Sequence, residues 1–188
     1  MTILDKAIIF ATNAHSGIFR KGTKIPYIVH LLEAAAIAAT MTVDEEVIAA
    51  AVLHDVIEDT PATKEQLEIE FGKRIAELVC ADSENKREDR PAAETWEIRK
   101  QETLDHIPNA SKEEQIIILA DKLSNLRSIY RDYISIKDEL WEKFNVKEKS
   151  KHYWYYSSIA ERLNKVKKTC AFQEYIELLV AVFGFEIT

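Results

Sequence analysis

Four titratable side chains, His54, Asp55, Glu58 and Asp59, crowd into six positions of the stretch AVLHDVIEDT (51–60), directly after a run, EVIAAAVL, that is apolar or small on nearly every side. In one continuous helix at about 100° per residue, His54 and Glu58 lie one turn apart, as do Asp55 and Asp59, and all four share one arc. Acids at a helix C-terminus face the negative end of the dipole, so a bound cation would turn an unfavourable arrangement into a favourable one. A second anomaly lies far along the chain, where the apolar run Ile116 to Ala120 leads straight into Asp121 while Leu123 and Leu126 continue the buried stripe. A carboxylate there costs several kcal/mol unless it is paired, protonated or bound to metal, and Arg127 is too far round the same helix to pair with it. Asn125 follows one turn later on the same face. In FRKGTKIPYIVH (19–30), Gly22 and Pro26 mark a turn and His30 starts the next helix. His30, His54, Asp55 and Asp121 thus offer two imidazoles and two carboxylates. That donor set suits Mn²⁺, Fe²⁺, Zn²⁺ or Ni²⁺, with positions left for water and substrate.

The elements that must position these residues read as helices throughout. Apolar residues recur at three- and four-residue intervals with only four glycines and four prolines among 188 residues to interrupt them. The periodicity predicts an all-α fold with helices over about 3–15, 31–41, 45–58, 64–71, 73–81, 95–106, 112–133, 147–167 and 172–182. Asp44, Thr63 with Gln66, and Ser111 with Glu114 supply start signals. The charged segment ADSENKREDRPAAET (81–95) reads as a surface loop. With no Pro/Gly/Ser-rich linker, one domain over 1–188 is expected. The net charge of −7 argues against the sequence-independent phosphate attraction of nucleic-acid binders. The N-terminus lacks a signal-peptide apolar run, no stretch approaches a membrane span, and Cys80 and Cys170 suggest no disulfide framework. A cytoplasmic protein is expected, of unspecified oligomeric state.

His30, the His54–Asp55 doublet and Asp121 resemble the H…HD…D signature of the HD-domain metal-dependent phosphohydrolases. FRKGTKIPYIVH, AAVLHDVIEDT, FGKRIAELV, RKQET and LADKLSNLR resemble, in order and spacing, the hydrolase domain of the RelA/SpoT alarmone enzymes, above all their stand-alone small hydrolases. The likeness covers roughly residues 5–165. It implies a compact HD-domain helical bundle around a central metal site. It also implies hydrolysis of the 3′-pyrophosphate of guanosine 3′,5′-bis(diphosphate) (ppGpp) or its pentaphosphate, a stringent-response alarmone, releasing pyrophosphate, with Mn²⁺ as the usual metal. On that reading His30, His54, Asp55 and Asp121 hold the ion, Glu58 orients or deprotonates water with Asp59 as companion, and Arg20, Lys21 and Asn125 contact the nucleotide. The chain departs from the family at Leu31, where Pro is usual, and at Ile18, where Gln is common.

Two alternatives stand beside this one: an HD phosphatase acting on another nucleotide, such as the 2′-phosphate of NADPH or an adenine alarmone, and a metal- and nucleotide-binding module without turnover. The Glu58–Asp59 pair argues against the last, which would need no base. His15, His106 and His152 read as ordinary residues, Tyr153 of HYWYY as core, and KVKK (165–168) as a solvated helix end.

Overall fold

The computed structural model describes residues 1–83, 87 and 89–184. Among them the chain is all-α: α1 Ile3–Ala14, α2 Ile28–Ala38, α3 Glu45–Leu53, α4 Val56–Asp59, α5 Lys64–Phe71, α6 Lys73–Asp82, α7 Ala92–His106, α8 Lys112–Ile136, α9 Lys149–Arg162 and α10 Cys170–Phe183, with 3₁₀ turns at Ile107–Asn109 and Lys137–Lys143. The start signals are used as expected. Asp44 accepts from the Glu46 amide, and Thr63 with Gln66 and Ser111 with Glu114 form reciprocal capping boxes. A further capping box, Thr2 with Asp5, opens α1.

α8 is the axis of the bundle. Every residue from Gln115 to Ser124 is buried, because α2, α3, α6 and α10 pack around it. α3 is buried too, and its small residues Ala49, Ala50 and Ala51, with Ala7 and Ala11 of α1 and Ala34, Ala35 and Ala38 of α2, let these helices approach closely. His54 and Asp55 come off the end of α3, and Asp121 projects from the middle of α8. Two rigid, buried helices therefore carry three of the four expected ligands.

Four expectations need correction. The helix read over 45–58 is broken: Asp55 takes φ −94°, ψ −1°, which interrupts the ladder, and a new turn, α4, begins at Val56. His30 lies inside the first turn of α2, which starts at Ile28, three residues earlier than expected. The loop read over 81–95 is shorter, since α6 runs to Asp82 and α7 begins at Ala92; residues 84–86 and 88 lie outside the described residues. α9 ends at Arg162, so KVKK is a turn rather than a helix end; the Lys165 amide donates to Gln115 Oε1 at 2.9 Å, and its ammonium donates to the Ala110 carbonyl.

Candidate metal centre

His30, His54, Asp55 and Asp121 meet at one point. His30 Nε2 lies 3.2 Å from Asp121 Oδ1 and 3.5 Å from Asp55 Oδ2; His54 Nε2 lies 3.0 Å from Asp55 Oδ2 and 3.5 Å from Asp121 Oδ1. Ligand atoms of His30, His54 and Asp121 all fall within 4.8 Å of one another, in a buried setting. Asp55 adjoins them through the same two imidazoles.

The ring tautomers decide what these contacts are. Ser124 Oγ donates its one proton to Glu33 Oε2 at 2.7 Å, so across its 2.8 Å contact with His30 Nδ1 it must accept. His54 Nδ1 is 2.8 Å from the Ala51 carbonyl, which can only accept. Both Nδ1 atoms therefore carry the proton, and both Nε2 atoms present bare lone pairs, buried and without a hydrogen-bond partner. Lone pairs facing carboxylate oxygens at 3.0–3.5 Å repel unless a cation lies between them. Two atoms held about 2.1 Å from one ion at a right angle stand about 3 Å apart, so the residues fit a divalent transition metal. The same demand appears in the proton affinities. Burial pushes the His54 imidazole down, but Asp55 and Asp121 outweigh it and hold it well above its ordinary value. Burial likewise opposes ionisation of Asp55 and Asp121, yet the imidazoles, and Lys122 beside Asp121, keep both carboxyls well below the usual range.

Further partners fix each carboxylate. Tyr27 Oη donates to Asp55 Oδ2 at 2.7 Å, and burial followed by the charges of Asp55 and Asp59 raises that phenol, so it remains a donor. Asp121 divides its oxygens: Oδ2 accepts from Lys122 Nζ, while Oδ1 accepts from Asn125 Nδ2 at 2.5 Å and faces the imidazoles. The buried carboxylate thus has a cationic partner that the sequence reading overlooked. Asn125 in turn accepts from Arg20 Nη2 at 2.6 Å, and the Arg20 guanidinium lies over the Tyr27 ring, 5.4 Å from its centroid. Arg20 and Lys21 sit on the turn that Gly22 and Pro26 predicted, closed by a bridge between Phe19 and Pro26. Both line a cavity of about 210 Å³ with Tyr27, Asn125, Asp132 and Lys143. Glu58 and Asp59 are half-buried in α4, which begins immediately after Asp55, and the charge of Asp59 reaches Tyr27 and His15.

Tyr27, Ser124, Glu33 and His15 were not singled out from sequence. Tyr27 and Glu33 lie three residues either side of His30, and Ser124 three residues after Asp121, the spacing at which helical neighbours meet. That spacing was the available signal. His15 stacks on Tyr27 with ring centroids 5.1 Å apart. Tyr153 packs on Phe183, and Tyr156 reaches the cavity instead.

Residues 7–150 match the family model described as HD domain. The chain belongs to the HD-domain family. Its HD doublet is His54–Asp55, at the break between α3 and α4. Among curated HD relatives, the guanosine-3′,5′-bis(diphosphate) 3′-pyrophosphohydrolase of Danio rerio is 36% identical over 132 residues, covering 69% of this chain and 70% of the relative. The bifunctional (p)ppGpp synthase/hydrolase SpoT of Escherichia coli is 39% identical over 131 residues, 67% of this chain. The match spans only 18% of that relative's length, as it does for the Haemophilus influenzae pyrophosphohydrolase, which is 38% identical over 64% of this chain. Two solved structures share the HD fold at a TM-score of 0.73. One, from Listeria monocytogenes, is 31% identical and covers 83% of this chain and 99% of its own. The other, a metazoan orthologue of SpoT, is 22% identical and covers 96% and 94%.

Proposed function

We propose that this chain is a metal-dependent 3′-pyrophosphohydrolase of guanosine 3′,5′-bis(diphosphate) or its pentaphosphate, working in the cytoplasm. The observation that carries the reading is the convergence of two buried Nε2 atoms that lack a hydrogen-bond partner and two carboxylates, beside a cavity lined by Arg20, Lys21 and Asn125. Resemblance over most of the length of the Danio rerio pyrophosphohydrolase adds to it.

His30, His54, Asp55 and Asp121 would hold one divalent ion, Mn²⁺ by resemblance. Such an ion acidifies water and draws charge from a phosphoryl oxygen. Glu58 takes the proton of the attacking water, whose oxygen bonds to the phosphorus attached to ribose O3′. The P–O3′ bond breaks, O3′ takes up a proton, and pyrophosphate leaves a nucleoside 5′-diphosphate or 5′-triphosphate behind. Arg20 and Lys21 neutralise phosphate charge, the guanidinium through its fork of donors. Asn125 joins Arg20 to Asp121, which couples substrate contact to the ion's ligand. Incubation of Mn²⁺-loaded protein with a panel of nucleotides, with the products separated by anion exchange, tests this. Guanosine bis(diphosphate) should be consumed fastest, with its 5′-diphosphate as the nucleoside product. Consumption of NADPH in its place would sink the proposal in favour of an HD phosphatase.

Ser124 and Glu33 hold the His30 tautomer, so Ser124→Ala should weaken Mn²⁺ binding by roughly 10–100-fold, measured by competition with a chelator, and Ser124→Thr should restore most of it. Unchanged affinity in Ser124→Ala would show that the hydroxyl does not orient the imidazole.

A proton and the ion compete for His54 Nε2. In the metal-free protein the raised His54 stabilises the fold fully below the ordinary value of about 6.5, and that contribution is lost as pH rises through the folded-state value. Mn²⁺ binding therefore gains on protonation as pH rises. The increase in Tm on adding Mn²⁺ should be larger at about pH 8 than at about pH 6. An increase that does not vary with pH would contradict this competition.

A further inference from the structure

One charged pair in the cavity takes no part in the hydrolysis described above. Asp132 Oδ2 of α8 and Lys143 Nζ of the 3₁₀ segment lie 3.0 Å apart, and both line the cavity. Asp121, Asn125, Ser128 and Asp132 descend one face of α8, and Asp132 is roughly 16 Å along the axis from Asp121. Helical side chains lean toward the N-terminus, so the Asp132 carboxylate leans back toward the metal cluster. The same cavity is walled by Ile129, Phe144, Tyr156 and Tyr27. These are apolar, aromatic and planar surfaces of the kind on which a nucleobase stacks. Lys143 is held in place as well. Gly22, at φ +69°, passes against its stem so closely that a Cβ there would stand 3.3 Å from Lys143 Cγ and Cδ. The cavity adjoins the metal cluster through Tyr27 and Asn125, which donate to Asp55 and Asp121, and it also holds a carboxylate and an ammonium side by side.

We propose that Asp132 and Lys143 read the Watson–Crick edge of the base and select guanine over adenine, a reading that rests on the hydrolase function proposed above. Guanine offers N1–H and N2–H₂ as adjacent donors beside the O6 acceptor. A carboxylate accepts from both donors at once, and the ammonium donates to O6. Hypoxanthine lacks the 2-amino group and loses one bond. Adenine puts an acceptor at N1 and has no 2-amino group, so one carboxylate oxygen meets a lone pair. A pair that merely tied the 3₁₀ segment to α8 would show no dependence on the base.

The test compares kcat/KM for the guanosine, inosine, adenosine and xanthosine 3′,5′-bis(diphosphates) in wild type and Asp132→Asn. Wild type should favour guanosine over inosine on the order of 10–100-fold, with adenosine poorer still. Asp132→Asn keeps an acceptor for N1–H but turns the second position into a donor. That matches the O2 of xanthine, so guanosine should fall and xanthosine rise until their order inverts. Equal wild-type rates on guanosine and inosine, or a variant slowed equally on all four, would overturn base reading alone. Release of pyrophosphate from none of the four overturns the hydrolase reading together with this one.

Discussion

Asp55→Asn and Asp121→Asn are each expected to purify without metal and to hydrolyse no measurable nucleotide when Mn²⁺ is supplied at concentrations that saturate the wild type. Each removes one anionic ligand from a set of two neutral imidazoles and two carboxylates. The loss in affinity should therefore exceed the roughly 10–100-fold that an outer partner costs. The side chain is also replaced by one that donates from half its head, so a donor can now face a bare Nε2 and satisfy it without any ion. Elemental analysis of wild type should give about one equivalent per chain. The two variants separate fold from function. Asp121 also accepts from Lys122 and Asn125, so its loss disturbs buried partners on α8. Asp55 accepts from Tyr27 at the cavity and sustains the raised His54, so the metal-free Tm of Asp55→Asn should fall at low pH, where that imidazole is protonated, and approach the wild type as pH rises. If both variants retain a full equivalent of metal, the ligand set is wrong.

Glu58→Gln should lower turnover by on the order of 10²–10⁴-fold, the usual cost of a general base. The substitution keeps size and hydrogen bonding but removes basicity. Glu58 is half-buried in the single turn that begins directly after Asp55, and its partner Asp59 acts electrostatically on Tyr27, the donor to Asp55. Metal content and Tm should barely move. Wild-type rates in a folded Glu58→Gln protein would remove the residue from the mechanism. Loss of metal would instead make it a ligand.

Polar residues stranded in apolar runs were legible in sequence because their burial is costly and therefore conspicuous. His54, Asp55 and Asp121 stand out from the runs that precede them, and the structure gathers them with His30. The partners that fix them were not legible. Tyr27 meets Asp55 from 28 residues away, and Ser124 meets His30 from 94. Each is an ordinary residue at an ordinary helical position until the fold brings it to a ring nitrogen or a carboxylate. Lys122 was hidden for a different reason. Adjacent residues on a helix point away from each other, so a pair at 121 and 122 is not the one that helical spacing suggests. The break at Asp55 left no mark either, since neither glycine nor proline stands there and the apolar period continues across it. α2 starts three residues early, and α9 stops at Arg162, five residues short, where Leu163 leaves the helical conformation at ψ 58°.

Phosphorus NMR of the reaction in water enriched in heavy oxygen tests the central claim most directly. Attack at the phosphorus attached to O3′ predicts pyrophosphate as the sole phosphorus-containing leaving group, carrying one heavy oxygen, with an unlabelled nucleoside 5′-diphosphate from the tetraphosphate. Orthophosphate as the released product, or heavy oxygen in the nucleoside, would contradict it.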